Sequence, residues 1–116
     1  FISIDPILKL PGLKKAIESS RTSVLAVSPI VGGQALKGPT AKMLKELRLK
    51  SDASSIAQHY GEILDGFVID TKDCNLEKQI SEKGHKVLVT QTIMKSLDDK
   101  VSLANDILDF AAEISL

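Results

Sequence analysis

Glycines, hydroxyls and a lysine crowd into one stretch of this chain, Ser28-Pro29-Ile30-Val31-Gly32-Gly33-Gln34-Ala35-Leu36-Lys37-Gly38-Pro39-Thr40. Two adjacent glycines let a backbone come close to a ligand. Ser28 adds a hydroxyl, and Lys37 a compact positive charge suited to a phosphate. The stretch follows the apolar run 24–27 and precedes a helix-like segment. That is where open α/β sheets gather anionic ligands, because the chain reverses there and helix amides point outward. The spacing is neither the phosphate-loop nor the dinucleotide pattern, so position carries more than spelling. The competing reading is a tight connection with a solvated lysine.

A second group of polar residues sits at the ends of two further apolar runs: Asp70-Thr71 after 64–70, and Thr90-Gln91-Thr92 after 86–90. If these strands are parallel, Ser28, Asp70, Thr90 and Thr92 share one rim. Hydroxyls and an amide suit phosphate oxygens, and a carboxylate suits magnesium, whose shell is commonly completed by water and substrate phosphates. The alternative is that Asp70 and Thr71 only end a strand and cap the helix after it. His59 closes a helix before Gly61, where it complements the helix C-terminus or serves as a proton carrier or substrate contact. His85 reads as a surface residue, and two histidines so placed build neither a Ser-His-Asp set nor a metal-ligand spacing.

The elements that must position these groups follow from pattern. Residues 1–4 are β-like, and Pro11 suits the first turn of a helix carrying Leu13, Ala16 and Ile17. Residues 23–27 form a buried strand ended by Pro29. Thr40 caps a helix with Met43, Leu44 and Leu47 inward, and 51–60 is another helix stopped at Gly61. Strand 64–70, helix 75–83 and strand 86–90 make a compact βαβ unit, which requires parallel strands. Ser96 caps a long final helix expected to lay Leu97, Val101, Ala104, Leu108 and Ala111 on the sheet. The fold class is α/β: a three-layer, Rossmann-like parallel sheet with flanking helices, present as a partial sheet.

Size and charge bound the rest. One domain core fits 116 residues. Fifteen basic against fifteen acidic residues give no field to attract nucleic acid or an anionic membrane, and 3% aromatic content leaves few stacking platforms. No apolar run reaches the ~20 residues of a membrane span. The single Cys74 excludes an internal disulfide and fits a reducing cytoplasm, as a buried or incidental thiol. A chain opening at Phe1 without methionine, with so small a parallel sheet, reads as a fragment, either one domain alone or the C-terminal part of a larger α/β enzyme. Its unpaired edges call for the missing half or for a second copy in a homodimer.

Taken with Ser3-Ile4-Asp5-Pro6-Ile7-Leu8, His59-Tyr60, residues 64–70 and 87–94 and the closing Asp109-Phe110-Ala111, the glycine stretch resembles the 2-phospho-L-lactate transferase family over essentially the whole chain. Family members are much longer, so the resemblance implies a C-terminal portion whose N-terminal part is missing. It also implies a Rossmann-like enzyme of coenzyme F-420 biosynthesis that needs Mg2+. The deazaflavin precursor Fo is the acceptor, the guanylylated lactate donor is lactyl-2-diphospho-5′-guanosine, and GMP is released. Ser28, Pro29, Val31, Gly32, Gly33, Lys37 and Gly38 are then expected at the diphosphate, with Ser3, Asp5, His59, Asp70, Thr90 and Thr92 as further substrate contacts. The residues for deazaflavin and metal are expected to lie outside this chain, leaving the piece inactive alone. The opening also lacks the small polar residues that usually precede it in the family. The donor alternative is a guanylylated phosphoenolpyruvate. The functional alternative is a non-catalytic nucleotide-sugar-binding regulator of the same superfamily.

Overall fold

A computed structural model describes residues 4–19, 22–32, 34–35 and 53–114. Its centre is a three-stranded parallel sheet in the order β1 (Leu25–Val27), β4 (Gly66–Asp70), β5 (Lys86–Thr90). Leu25 pairs with Gly66, which pairs with Lys86, and the register runs without a break to Asp70 beside Thr90. β4 is buried along its whole length while β1 and β5 are only partly covered. That is why β4 reads as a continuous apolar run rather than an alternating one.

Alternation along β4 sends successive side chains to opposite faces. Phe67 and Ile69 join Ile30, Ala53, Ile56, Ala57 and Ile80 in one cluster, so helix α3 (Ala53–His59) and helix α4 (Glu77–Glu82) cover that face. The other face carries Gly66, where an added Cβ would stand 2.7 Å from Leu25 Cδ2 and 2.9 Å from Phe110 Cε2. Glycine there makes room for the ring of Phe110, on helix α5 (Leu97–Ile114). Helices on both faces of a parallel sheet give the three-layer α/β architecture expected from the sequence.

The βαβ unit appears with shifted bounds. A 3-10 segment, Thr71–Leu76, precedes α4, because Asp70 turns the chain by accepting the amide of Lys72. At the other end Asp65 accepts the amide of Val24 at 2.7 Å and its own amide bonds Val24 O, so β4 starts at Gly66, two residues later than expected.

Two short helices open the described chain, α1 (Ile4–Leu8) and α2 (Leu13–Glu18). Ile4 is therefore helical, against the expected β-like start. Gly12 rather than Pro11 stands at the start of α2, with φ at +80°, and Ala16 is exposed. The expected helix after Thr40 lies outside the described residues.

α5 begins as expected, since Ser96 Oγ accepts the amide of Asp99 at 3.2 Å and Asp99 accepts the amide of Lys95 at 2.9 Å. Its face is a correction. Leu103 and Phe110 are buried, whereas Leu97, Val101 and Leu108 are exposed. Of the apolar repeat expected on the sheet only Ala111 is half-buried, because the Gly66 pocket and the Thr90–Asp106 bond fix the rotation of the helix. No described helix is long and apolar enough to cross a membrane.

Candidate functional site

Parallel pairing brings Ser28, Asp70, Thr90 and Thr92 to the carboxyl rim of the sheet, as the sequence predicts. Each is tied into the protein differently. Ser28 is buried, its amide donates to Val68 O, and its hydroxyl donates to Ile30 O while accepting the Ile30 amide. That local loop turns the chain out of β1 beside Pro29.

Beyond Pro29 the chain forms a small antiparallel hairpin, β2 (Ile30–Val31) against β3 (Gln34–Ala35), rather than a loop passing straight into a helix. Ile30 and Val31 are buried, and Gly32 begins the turn with φ at +57°, a conformation glycine takes without strain. Gly33, Lys37, Gly38 and Ser3 lie outside the described residues. The Gly32 amide donates to both oxygens of Asp73, each at 3.1 Å.

Asp70, 2% exposed, is the centre of the rim. One carboxylate oxygen accepts the amide and hydroxyl of Thr92 at 2.8 and 3.1 Å, and the other accepts the Lys72 amide at 2.9 Å and the Thr71 hydroxyl at 3.4 Å. Burial raises its pKa, but these donors outweigh burial and hold the carboxyl below its ordinary value. It is thus a fixed anion, not a proton carrier. The capping alternative weighed for Asp70 describes its contacts. Thr90 donates to Asp106 at 2.6 Å and is engaged with α5.

Asp70 is also a poor metal ligand, because a carboxylate has about four acceptor sites and all four are occupied by protein donors. Among the described residues no group of three or more His, Cys, Asp or Glu could hold a metal ion. Magnesium does not fit these residues as they stand.

Asp5 and His59 are not part of this rim. α3 ends at His59, and the 3-10 turn Gly61–Ile63 leads within a few residues into Gly66 at the start of β4. Gly61 also packs against His85, the residue before β5. This group therefore stands toward the amino ends of the strands, with the length of β4, about 16 Å for five residues, between that end and the rim.

At that end Asp5 accepts the Tyr60 hydroxyl at 2.8 Å and the His59 Nε2 hydrogen at 2.9 Å. Burial raises the Asp5 pKa, and the Tyr60 and His59 contacts more than offset it. Tyr60 is pushed well above the usual phenol range by burial and by the adjacent carboxylate. The three border a cleft of about 410 Å³ with Lys9, Lys14 and Gln58.

His85 is a second correction. It is buried rather than on the surface, and its Nδ1 has no hydrogen-bond partner among the described residues. Cys74 is exposed. Sequence reasoning missed Asp73. Its only signal was the recurrence of an acid three residues after Asp70, which marks one turn of a helix as readily as a site.

Together these features define a parallel-sheet α/β domain with a polar, largely buried carboxyl rim beside a glycine turn. A family model described as 2-phospho-L-lactate transferase CofD matches residues 1–106, and the chain belongs to that family. It is 41% identical over 112 residues to a 2-phospho-L-lactate transferase of Methanocaldococcus jannaschii, covering 97% of this chain and 34% of that protein. A 2-phospho-L-lactate transferase of Methanococcus maripaludis is 38% identical over 108 residues, 93% of this chain and 33% of that protein. A phosphoenolpyruvate transferase of Streptomyces griseus is 32% identical over 114 residues, 97% and 36%. The chain thus spans about a third of the length of the curated relatives it matches.

Proposed function

We propose that the chain is the C-terminal portion of an enzyme that moves the 2-phospholactyl group from lactyl-2-diphospho-5′-guanosine to the deazaflavin Fo in coenzyme F-420 biosynthesis. The observation that carries this reading is the family match over residues 1–106. The ribityl hydroxyl of Fo forms a new O–P bond to the lactate-bearing phosphorus. The diphosphate P–O bond breaks, GMP leaves with the electron pair, and the hydroxyl proton passes to solvent or to a base outside the described residues.

Such a transfer needs in-line alignment and donors aimed at the phosphoryl oxygens. The carboxyl rim suits the alignment, since Ser28, Asp70 and Thr92 are buried and locked in hydrogen bonds that do not move with pH near neutrality. Lys37 and the glycines of the 32–38 stretch are assigned to the diphosphate. Any magnesium the transfer uses would be held by residues other than those described. Asp5 and His59 are given a holding role at the far end of the sheet. The lactyl donor is favoured over the phosphoenolpyruvate one by 41% and 38% identity to lactate-named relatives against 32%.

The test incubates the full-length protein with magnesium, Fo and the guanylylated lactate donor. Equimolar GMP and phosphodiester product are expected. Nucleotide binding without product would favour the regulatory alternative, and product only from the phosphoenolpyruvate donor would reassign the substrate.

A further inference from the structure

One buried acid at the carboxyl rim has no part in the transfer as proposed. Asp73 is 5% exposed and sits in the 3-10 segment after β4 with non-helical angles, φ −106° and ψ 17°. Both its oxygens stand 3.1 Å from the Gly32 amide, 41 residues earlier in the chain. Among the described residues the hairpin it touches has two residue pairs, Ile30 with Ala35 and Val31 with Gln34. A two-stranded ribbon that short does not hold itself in place. Among the described residues it is held by the burial of Ile30 and Val31 and by the bond to Asp73 at Gly32.

We propose that Asp73 is a positioning residue for the guanylylated donor: its carboxylate pins Gly32 to the 3-10 segment that follows β4, fixing how the chain at Gly32 meets the diphosphate. The inference rests on the transferase reading. It also refines that reading, because the Gly32 amide is engaged inside the protein. The diphosphate then approaches on the exposed side of Gly32, away from Asp73, and is held by donors other than the Gly32 amide.

The experiment compares wild type, Asp73→Ala and Asp73→Asn in the full-length protein. It reads GMP release with each substrate varied, and GDP affinity by calorimetry. For Asp73→Ala we expect the donor KM and the GDP Kd to rise about tenfold or more, with the Fo KM unchanged and kcat within about threefold, the pattern of lost uniform binding. Asp73→Asn keeps one acceptor oxygen at the same reach and recovers most of the loss.

A merely structural role would instead lower the active fraction and leave both KM values alone, which overturns the proposal. So would unchanged GDP affinity. Tighter GDP binding in Asp73→Ala would make the carboxylate an internal competitor, the opposite assignment. If the alanine variant does not fold, the asparagine variant alone decides, with a rise of about threefold in GDP Kd expected for a weakened pin. Should wild type release no GMP, the transferase reading fails, while the GDP affinities of the three proteins still report on Asp73.

Discussion

The two ends of the sheet each carry an aspartate held below its ordinary pKa, and they do it by different means. At the carboxyl rim Asp70 is 2% exposed and accepts two backbone amides and two hydroxyls. At the amino end the Asp5 side chain is 27% exposed and accepts one phenol and one imidazole. The same residue type with the same direction of shift therefore has different energetic weight. Interactions shielded from water keep their strength, while partly wet pairs are screened and cost side-chain freedom. The dry end is built to hold geometry, and the wet end to clasp α1 onto the end of α3.

The largest expected effect comes from removing the rim carboxylate. Asp70→Ala leaves the buried amide and hydroxyl of Thr92 and the partly buried amide of Lys72 without acceptors, and we expect a loss of about 3–5 kcal/mol. Urea unfolding of the full-length protein measures it, with Asp5→Ala as the counterpart at about 1 kcal/mol. Equal losses would erase the distinction between the two ends.

The pH dependence sharpens the contrast. Both folded-state pKa values are depressed, so each contribution is present above the unfolded value of about 3.9 and is lost as pH falls through the lower folded value. Wild type should lose stability across that acid window, and Asp70→Ala should lose less of it.

Next comes Gly66, which shows that the amino end is soft only where it is wet. An added Cβ would overlap Leu25 and the Phe110 ring, and we expect Gly66→Ala to cost about 1–3 kcal/mol in the same assay. A neutral result would mean that α5 shifts freely on the sheet.

The strands, their parallel pairing and the polar rim were legible in the sequence because a buried parallel strand leaves a continuous apolar run with a polar residue at its end. Ser96 was legible as a cap for the same local reason. The face of α5 was not. Leu97, Val101, Ala104 and Leu108 repeat at helical spacing as well as Leu103 and Phe110 do, and the choice between the two stripes is made by Gly66, thirty residues or more away in the chain. The burial of His85 was not legible either, since its neighbours include Gly61, distant in the chain, where an added Cβ would stand 3.4 Å from the imidazole Nε2. The hairpin at Gly32 and the reach of Asp73 across 41 residues have no local signature either. The splitting of Asp5 and His59 from Asp70 follows from which end of β4 a preceding helix meets, so topology separated residues that sequence motifs had grouped.

The smallest effect tests whether the wet end is only a clasp. Tyr60→Phe removes the hydroxyl 2.8 Å from Asp5 and leaves the His59 contact intact. The Tyr60 phenol is pushed above its ordinary range and stays protonated at neutral pH, so the substitution removes a neutral donor and no charge. The Asp5 carboxyl should then titrate higher, toward its ordinary value, followed by carbon-13 NMR of that group. Stability near neutrality should fall by about 1 kcal/mol or less, as suits a half-exposed hydrogen bond to a carboxylate. GDP affinity should not change, because the rim lies at the other end of the strands. A tenfold loss of GDP affinity would join the two ends into one site and return Asp5 and His59 to the substrate.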